Sequence, residues 1–152
     1  MAQIQNPAKG FQFNILIAGV NPFCVQNVKQ PDWGFEKDTH GDSNYKVNTA
    51  GMLDIGTLTI EKIVDGSAPG LDTWLWNKMR LIQNSITGGG LLPSEYKELI
   101  IIQQLAANNI VPLQTWTWEG CFPLKINGVE FSRMKSENTI HSIEFSVDRP
   151  LP

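Results

Sequence analysis

QTWTWEGCFPLKI, residues 114–126, alternates bulky apolar and small polar side chains over its first half. In an extended strand successive side chains point to opposite faces. Trp116 and Trp118 therefore share one face with Gln114, and Thr115, Thr117 and Glu119 share the other. A covered indole buries about 150–250 Å², which at ~25 cal/mol/Å² is at most ~4–6 kcal/mol per ring. Something must cover the Trp face. Two residues beyond Cys121, Pro123 withdraws a backbone donor, which suits a bend or an edge rather than a central strand.

The flanking sequence repeats this pattern. In FQFNILIA (11–18) Phe11, Phe13, Ile15 and Ile17 take one face, and Gln12 and Asn14 the other. Asn21-Pro22 signals a turn, and Phe23 to Lys29 reads as a second strand. TLTIEKIV (57–64) is a further strand, and KELIIIQQ (97–104) reads as a strand buried on both faces. In TIHSIEFSVD (139–148) His141, Ile143, Phe145 and Val147 share one face, and Ser142, Glu144, Ser146 and Asp148 the other. Asn127-Gly128 is a hairpin signal leading into NGVEFSRM. Residues 31–56 are polar and contain glycine, which reads as a loop too long for an ordinary connection.

One helix is expected, in GLDTWLWNKMRLIQN (70–84). Leu71, Leu75, Met79 and Ile82 recur at helical spacing beside Trp74, with Asp72 or Thr73 as the cap and Lys78 and Arg80 toward the negative end. Trp76 points away from this stripe and is free to touch something else. The chain thus reads as one domain over residues 1–152, with an N-terminal arm (1–10) and a long loop (31–56). The fold class expected is mainly β: a small β-sandwich or barrel with one flanking α-helix.

Charged residues are 18% of the chain, below the usual ~25%, and Asn, Gln, Ser and Thr take their place. Such a surface is either simply neutral or covered by neighbours, since charge is depleted at interface cores. A net charge of −3 argues against a nucleic-acid binding footprint. No apolar run approaches the ~20 residues that span a bilayer, so no membrane binding is expected. Cys24 and Cys121 read as small buried apolar residues.

No arrangement demands catalysis. Gly88-Gly89-Gly90 lacks the Lys-Ser/Thr of a phosphate loop. Asp38, His40 and Asp42 alternate in a glycine-containing segment, a weak metal signal. His141 lies on an apolar strand face, and Glu95/Glu98 and Glu130/Glu137 carry no spacing that acid–base work requires. No enzyme activity, cofactor or metal is expected.

The order of these features resembles the tail tube proteins of contractile-tailed bacteriophages. The residues that carry the resemblance are FQFNILIAGV, TLTIEKIVDGS, LDTWLWNKM, the block from Trp116 to Ile126 with Pro123 and Lys125, and TIHSIEFSVD; together they span about residues 10–148. The resemblance implies ring-shaped homo-oligomers of six copies, stacked into a hollow tube in the virion and assembled in the host cytoplasm. It implies as partners the sheath, tape-measure, baseplate and tail terminator proteins, and genomic DNA that passes through the lumen without specific binding. The related inner tube of type VI secretion systems is one rival reading; a monomeric ligand-binding β-barrel is another.

On that reading DNA must slide without sticking, so the lumen avoids the Lys/Arg–phosphate contacts that dominate nucleic-acid affinity. The candidate lumen residues are Thr57, Thr59 and Glu61; Thr115, Thr117 and Glu119; and Ser142, Glu144 and Ser146. Lys62, Lys78, Arg80, Lys97, Lys125, Arg133 and Lys135 are expected to face subunit contacts, the core edge or the sheath. Trp33, Phe35, Tyr45, Met52 and Leu53 are apolar anchors in the long loop, and with Trp76 they are the candidates for contacts between subunits or rings. The N-terminal arm and the tail Arg149-Pro150-Leu151-Pro152 are expected to be ordered by neighbouring copies.

Overall fold

Alternation, bulges and one bent strand account for the architecture. The structure, a computed structural model, describes residues 9–17, 25–41, 44–63, 71–108, 110–128, 132–134 and 140–152. Its elements are β1 (Phe13–Ile17), β2 (Val25–Lys29), β3 (Trp33–Gly41), β4 (Lys46–Ile55), β5 (Leu58–Ile63), α1 (Leu71–Ile82), α2 (Pro93–Tyr96), β6 (Glu98–Leu105), β7 (Pro112–Ile126), β8 (Ile140–Ser146) and β9 (Arg149–Leu151). Seven strands form one sheet in the order β1-β6-β7-β8-β5-β2, with β9 added to β7; β3 and β4 form a separate two-stranded sheet.

The tryptophan strand β7 belongs to both halves of the large sheet. Its first part pairs with β6, Trp116 opposite Ile102 and Trp118 opposite Ile100, and its last part pairs with β8, Ile126 opposite Ile143. Fifteen residues at ~3.3 Å each would overrun a small core if straight. The strand bends instead at Gly120, whose φ is +69°, and its register shifts between Pro123 and Lys125. Pro123, the expected site of a bend or an edge, stays within the strand opposite Phe145, and the ladder is irregular just after it.

The two half-sheets share one core. Ile15, Ile17, Ile100, Ile102 and Trp118 come from one half, and Leu58, Ile60, Ile143 and Phe145 from the other, with Leu75 of α1 among them. Trp116 packs against this cluster from its rim. Helix α1 is further tied down by an ion pair of 2.6 Å between Lys78 Nζ and Glu98 Oε1. Gly90 brings the following loop back onto the helix end: a β-carbon there would lie 1.9 Å from the Ile82 carbonyl oxygen. The glycine run therefore has a packing role.

Several expectations change. Residues 31–56 are a long β-hairpin, not a loop: β3 pairs with β4 from Trp33–Ile55 to Gly41–Lys46. Strand β6 is buried on one face only, with Leu99 exposed and Ile101 half-buried on the other. The C-terminal tail is ordered within its own chain, because Arg149–Leu151 pairs with Thr117–Glu119 of β7. Helix α1 starts at Leu71, so Asp72 and Thr73 lie within its first turn rather than before it. Asn127-Gly128 does not close a two-residue hairpin, since Ile126 pairs with Ile143 across a long connection. Val129, Glu130 and Phe131 of NGVEFSRM, residues 1–8 of the arm, Cys24, Asp42 and Lys135 lie outside the described residues. The large sheet has β1 and β2 at its two ends, so no barrel closes among the described residues.

Candidate functional site

One continuous polar face arises from strict alternation in β5 and β8. Leu58, Ile60 and Lys62 turn inward from β5, and His141, Ile143 and Phe145 turn inward from β8; all six are buried. The residues between them must turn outward. Thr59 stands opposite Glu144, and Glu61 opposite Ser142. Strand β2 extends this face, with Asn27 opposite Glu61 and Lys29 opposite Thr59, and the Asn27 amide donates to Glu61 Oε2 at 3.5 Å. On the other side Lys125 of β7 stands opposite Glu144.

Four candidate lumen residues, Thr59, Glu61, Ser142 and Glu144, are thus brought together. Thr57 precedes the strand in the same alternation and is exposed. Ser146 lies at the rim opposite Phe122, whose ring meets Tyr96 edge-on at 5.3 Å between centroids. Sequence reasoning missed Asn27 and Lys29, because a register shift between Val25 and Asn27 breaks the alternation of β2. It also set Lys125 apart from this face; the shift between Pro123 and Lys125 brings it there. Two carboxylates and two ammonium groups therefore share the face.

Thr115, Thr117 and Glu119 lie elsewhere, on the outer face of the other half-sheet. Thr117 stands between Ile101 and Leu151, and Ile101 in turn stands opposite Leu16. This face is mixed rather than polar. Glu119 accepts a hydrogen bond from the Arg149 guanidinium, which raises the pKa of Arg149. The neighbouring Lys97 Nζ donates to Asp148 Oδ2 at 2.6 Å, which raises the pKa of Lys97. The Arg149–Glu119 pair links β9 to β7, and the Lys97–Asp148 pair ties the residues just before β6 to those between β8 and β9. Of the other basic groups expected away from the lumen, Lys62 is buried on the inner face of β5, Lys78 is paired to Glu98, and Arg80 and Arg133 are exposed.

The second candidate surface is the hairpin. Every residue of β3 is exposed, and Trp33, Phe35, Tyr45, Met52, Leu53 and Trp76 are all exposed large apolar residues. Trp33 opposite Ile55 and Phe35 opposite Leu53 share one face. A bulge between Phe35 and Lys37 then resets the register, so Lys37 stands opposite Ala50 and Thr39 opposite Asn48. The Thr39 hydroxyl donates to Asn48 Oδ1 at 3.0 Å on that face. Asp38 and His40 point the other way, with Thr49 Oγ1 3.3 Å from His40 Nε2. At the hairpin root Pro31, Trp33, Trp116, Pro150 and Leu151 line an open groove of about 600 Å³.

Residues 9–149 match the family model of the T4-like virus tail tube protein gp19. The chain belongs to that tail tube family. None of the curated proteins matches this family member. Among solved structures, a chain from the anti-feeding prophage cap (the AFP tube terminating cap) is similar, with a TM-score of 0.79 at 16% identity over 99% of this chain and 93% of that one. A chain from the sheath/tube terminator of the extracellular contractile injection system PVC gives 0.72 at 17% identity over 98% of both chains. One from the PVC sheath-tube complex in the extended state gives 0.71 at 17% identity over 97% of this chain and 92% of that one. At such identities the likeness carries the fold, and this tail tube family member shares it over nearly its whole length.

Proposed function

We propose that this chain is the structural subunit of the inner tube of a contractile tail or injection particle. Six copies form a ring, rings stack, and the hollow tube conducts DNA or ejected protein when a surrounding sheath contracts. The observation that supports this best is the polar outer face of β2, β5, β8 and β7 on a sheet whose ends β1 and β2 are unpaired with each other. Open strand edges invite pairing with another chain and are normally covered. Joining copies edge to edge covers them and turns the polar faces toward one axis. Thr59, Glu61, Ser142 and Glu144 then line the lumen, with Lys29 and Lys125 at its seams. Sheath, terminator, baseplate and tape-measure proteins are the partners of such a tube, which assembles in the producing cell's cytoplasm and resides in the particle.

A ligand-binding barrel would need a closed sheet, and β1 and β2 do not close it among the described residues. The test is negative-stain microscopy of purified protein over a range of concentrations. Rings or tubes are expected. A protein that stays monomeric at the highest concentration overturns the proposal.

A further inference from the structure

The hairpin β3–β4 is chemically two-faced, and the division follows from its register. Glu36, Asp38 and Asp54 alternate with the residues of the Trp33 face and so lie on the opposite one, Asp54 opposite Gly34 and Asp38 opposite Thr49. A β-carbon on Gly51 would lie 3.1 Å from Asp38 Oδ2, which places Gly51 at the bulge on the Asp38 side. The other face carries Trp33, Phe35 and Leu53 near the root and Lys37 and Lys46 further out, Lys46 opposite Gly41. Among the described residues of β3 and β4 it carries no carboxylate. One face is acidic; the other is apolar and basic.

An isolated two-stranded hairpin is at best marginally stable in water. This one leaves every β3 residue exposed, with Trp33 at 60% and Phe35 at 61% exposure, so it needs a cover. We infer that the cover is the hairpin of a second copy, packed so that the acidic face (Glu36, Asp38, Asp54) of one copy meets the basic-apolar face (Lys37, Lys46, Trp33, Phe35) of the next. The inference rests on the ring-forming role proposed above and adds to it the identity and polarity of the joint. Complementary charge favours this pairing, while two acidic or two basic faces repel, so each contact is head-to-tail. Apolar contact supplies the attraction, and charge fixes which face meets which.

The test is a charge-swap pair. Lys37→Glu/Lys46→Glu makes both hairpin faces acidic, and Glu36→Lys/Asp38→Lys makes both net basic, with two lysines against the remaining Asp54. All four side chains are exposed, so each variant is expected to melt within a few degrees of the wild type. Either variant alone should need about tenfold or more higher concentration to form rings, and an equimolar mixture should assemble near the wild-type concentration. Cross-linking the mixture should give alternating neighbours, each variant joined to the other. Normal assembly of either variant alone overturns the joint, as does a mixture that fails like its components; both outcomes leave the tube proposal standing. A wild type that forms no rings overturns the tube proposal and the joint together.

Discussion

Gly120 and Asp148 meet at the corner of the bent strand β7. A β-carbon on Gly120 would lie 2.2 Å from Asp148 Oδ2, and the Gly120 φ of +69° is one that other residues adopt at a cost. Asp148 is held in place from two sides, by Lys97 Nζ at 2.6 Å and by its own N–H donating to the Glu119 carbonyl at 3.0 Å. Gly120→Ala should therefore lower stability by ~2–3 kcal/mol, part from the left-handed backbone and part from displacing the carboxylate. In an Asp148→Gly background, which also removes the Asp148 β-carbon at 2.7 Å, the same change should cost only the backbone part, ~1–2 kcal/mol. Urea unfolding of the four proteins measures this coupling. Equal costs in both backgrounds would show that the contact has no energetic weight.

Trp118 and Trp116 sit on the same side of β7 but at different depths. Trp118 is 3% exposed and within the core cluster, whereas Trp116 packs on its rim. Trp118→Ala should cost ~3–5 kcal/mol, the range for a large buried aromatic, and Trp116→Ala clearly less. Thermal melts should rank them in that order. The reverse ranking would mean that the groove at the hairpin root, not the core, holds the strand.

Burial is what made some elements legible in the sequence and left others hidden. In β5 and β8 one face is buried completely, so Leu58 and Ile60, and Ile143 and Phe145, repeat at period two without a break. Strands β3 and β4 bury almost nothing within the chain. Glu36-Lys37-Asp38 shows no apolar period, and the bulge after Phe35 scrambles what pattern there is. Strand β9 has three residues, one of them Pro150, too few for alternation to register. The polar face was half visible: Thr59/Glu61 and Ser142/Glu144 follow from alternation alone. Their adjacency, and the arrival of Lys29 and Lys125 beside them, depend on pairing and on two register shifts that no local pattern encodes.

Cys121 is a buried thiol in the core cluster. Its Sγ lies 3.4 Å from the Trp118 carbonyl oxygen, and burial pushes its pKa up to about 12. The thiolate is the reactive form, so in a Cys24→Ala background the folded protein should not react with a disulfide reagent at pH 8, and should react fully in denaturant. The sign of the pH effect follows from linkage. The unfolded thiol ionises near its ordinary value of 9.0 and the folded one near 12. Stability from this group is complete below the unfolded value and falls as the pH rises from there toward the folded value. Cys121→Ala should flatten that alkaline decline. An equally steep decline in the variant would assign it to other groups.

The polar face yields the most direct functional prediction. Glu61 and Glu144 share it with Lys29 and Lys125, so two acidic groups stand against two basic ones. Either Glu61→Lys or Glu144→Lys changes this to one against three. Both side chains are half-buried on the outward side of their strands, so neither substitution places charge in the core and each variant should fold. If this face lines the lumen, every ring repeats the change around one narrow channel. A basic wall binds phosphates by counterion release, and its affinity falls steeply between about 50 and 200 mM salt. Tubes of either variant should retain a fluorescent single-stranded oligonucleotide at low salt and release it at high salt, while wild-type tubes retain little at either. In an intact particle the same variants should slow the passage of DNA at low salt. Thr117→Lys is the control, because it adds a positive charge to the mixed face of the other half-sheet. Weaker retention is expected there, with the oligonucleotide accessible to nuclease on the tube exterior, whereas oligonucleotide held at Lys-substituted Glu61 or Glu144 should be protected. If Thr117→Lys protects the oligonucleotide and the other two do not, the lumen is built from the opposite half of the sheet.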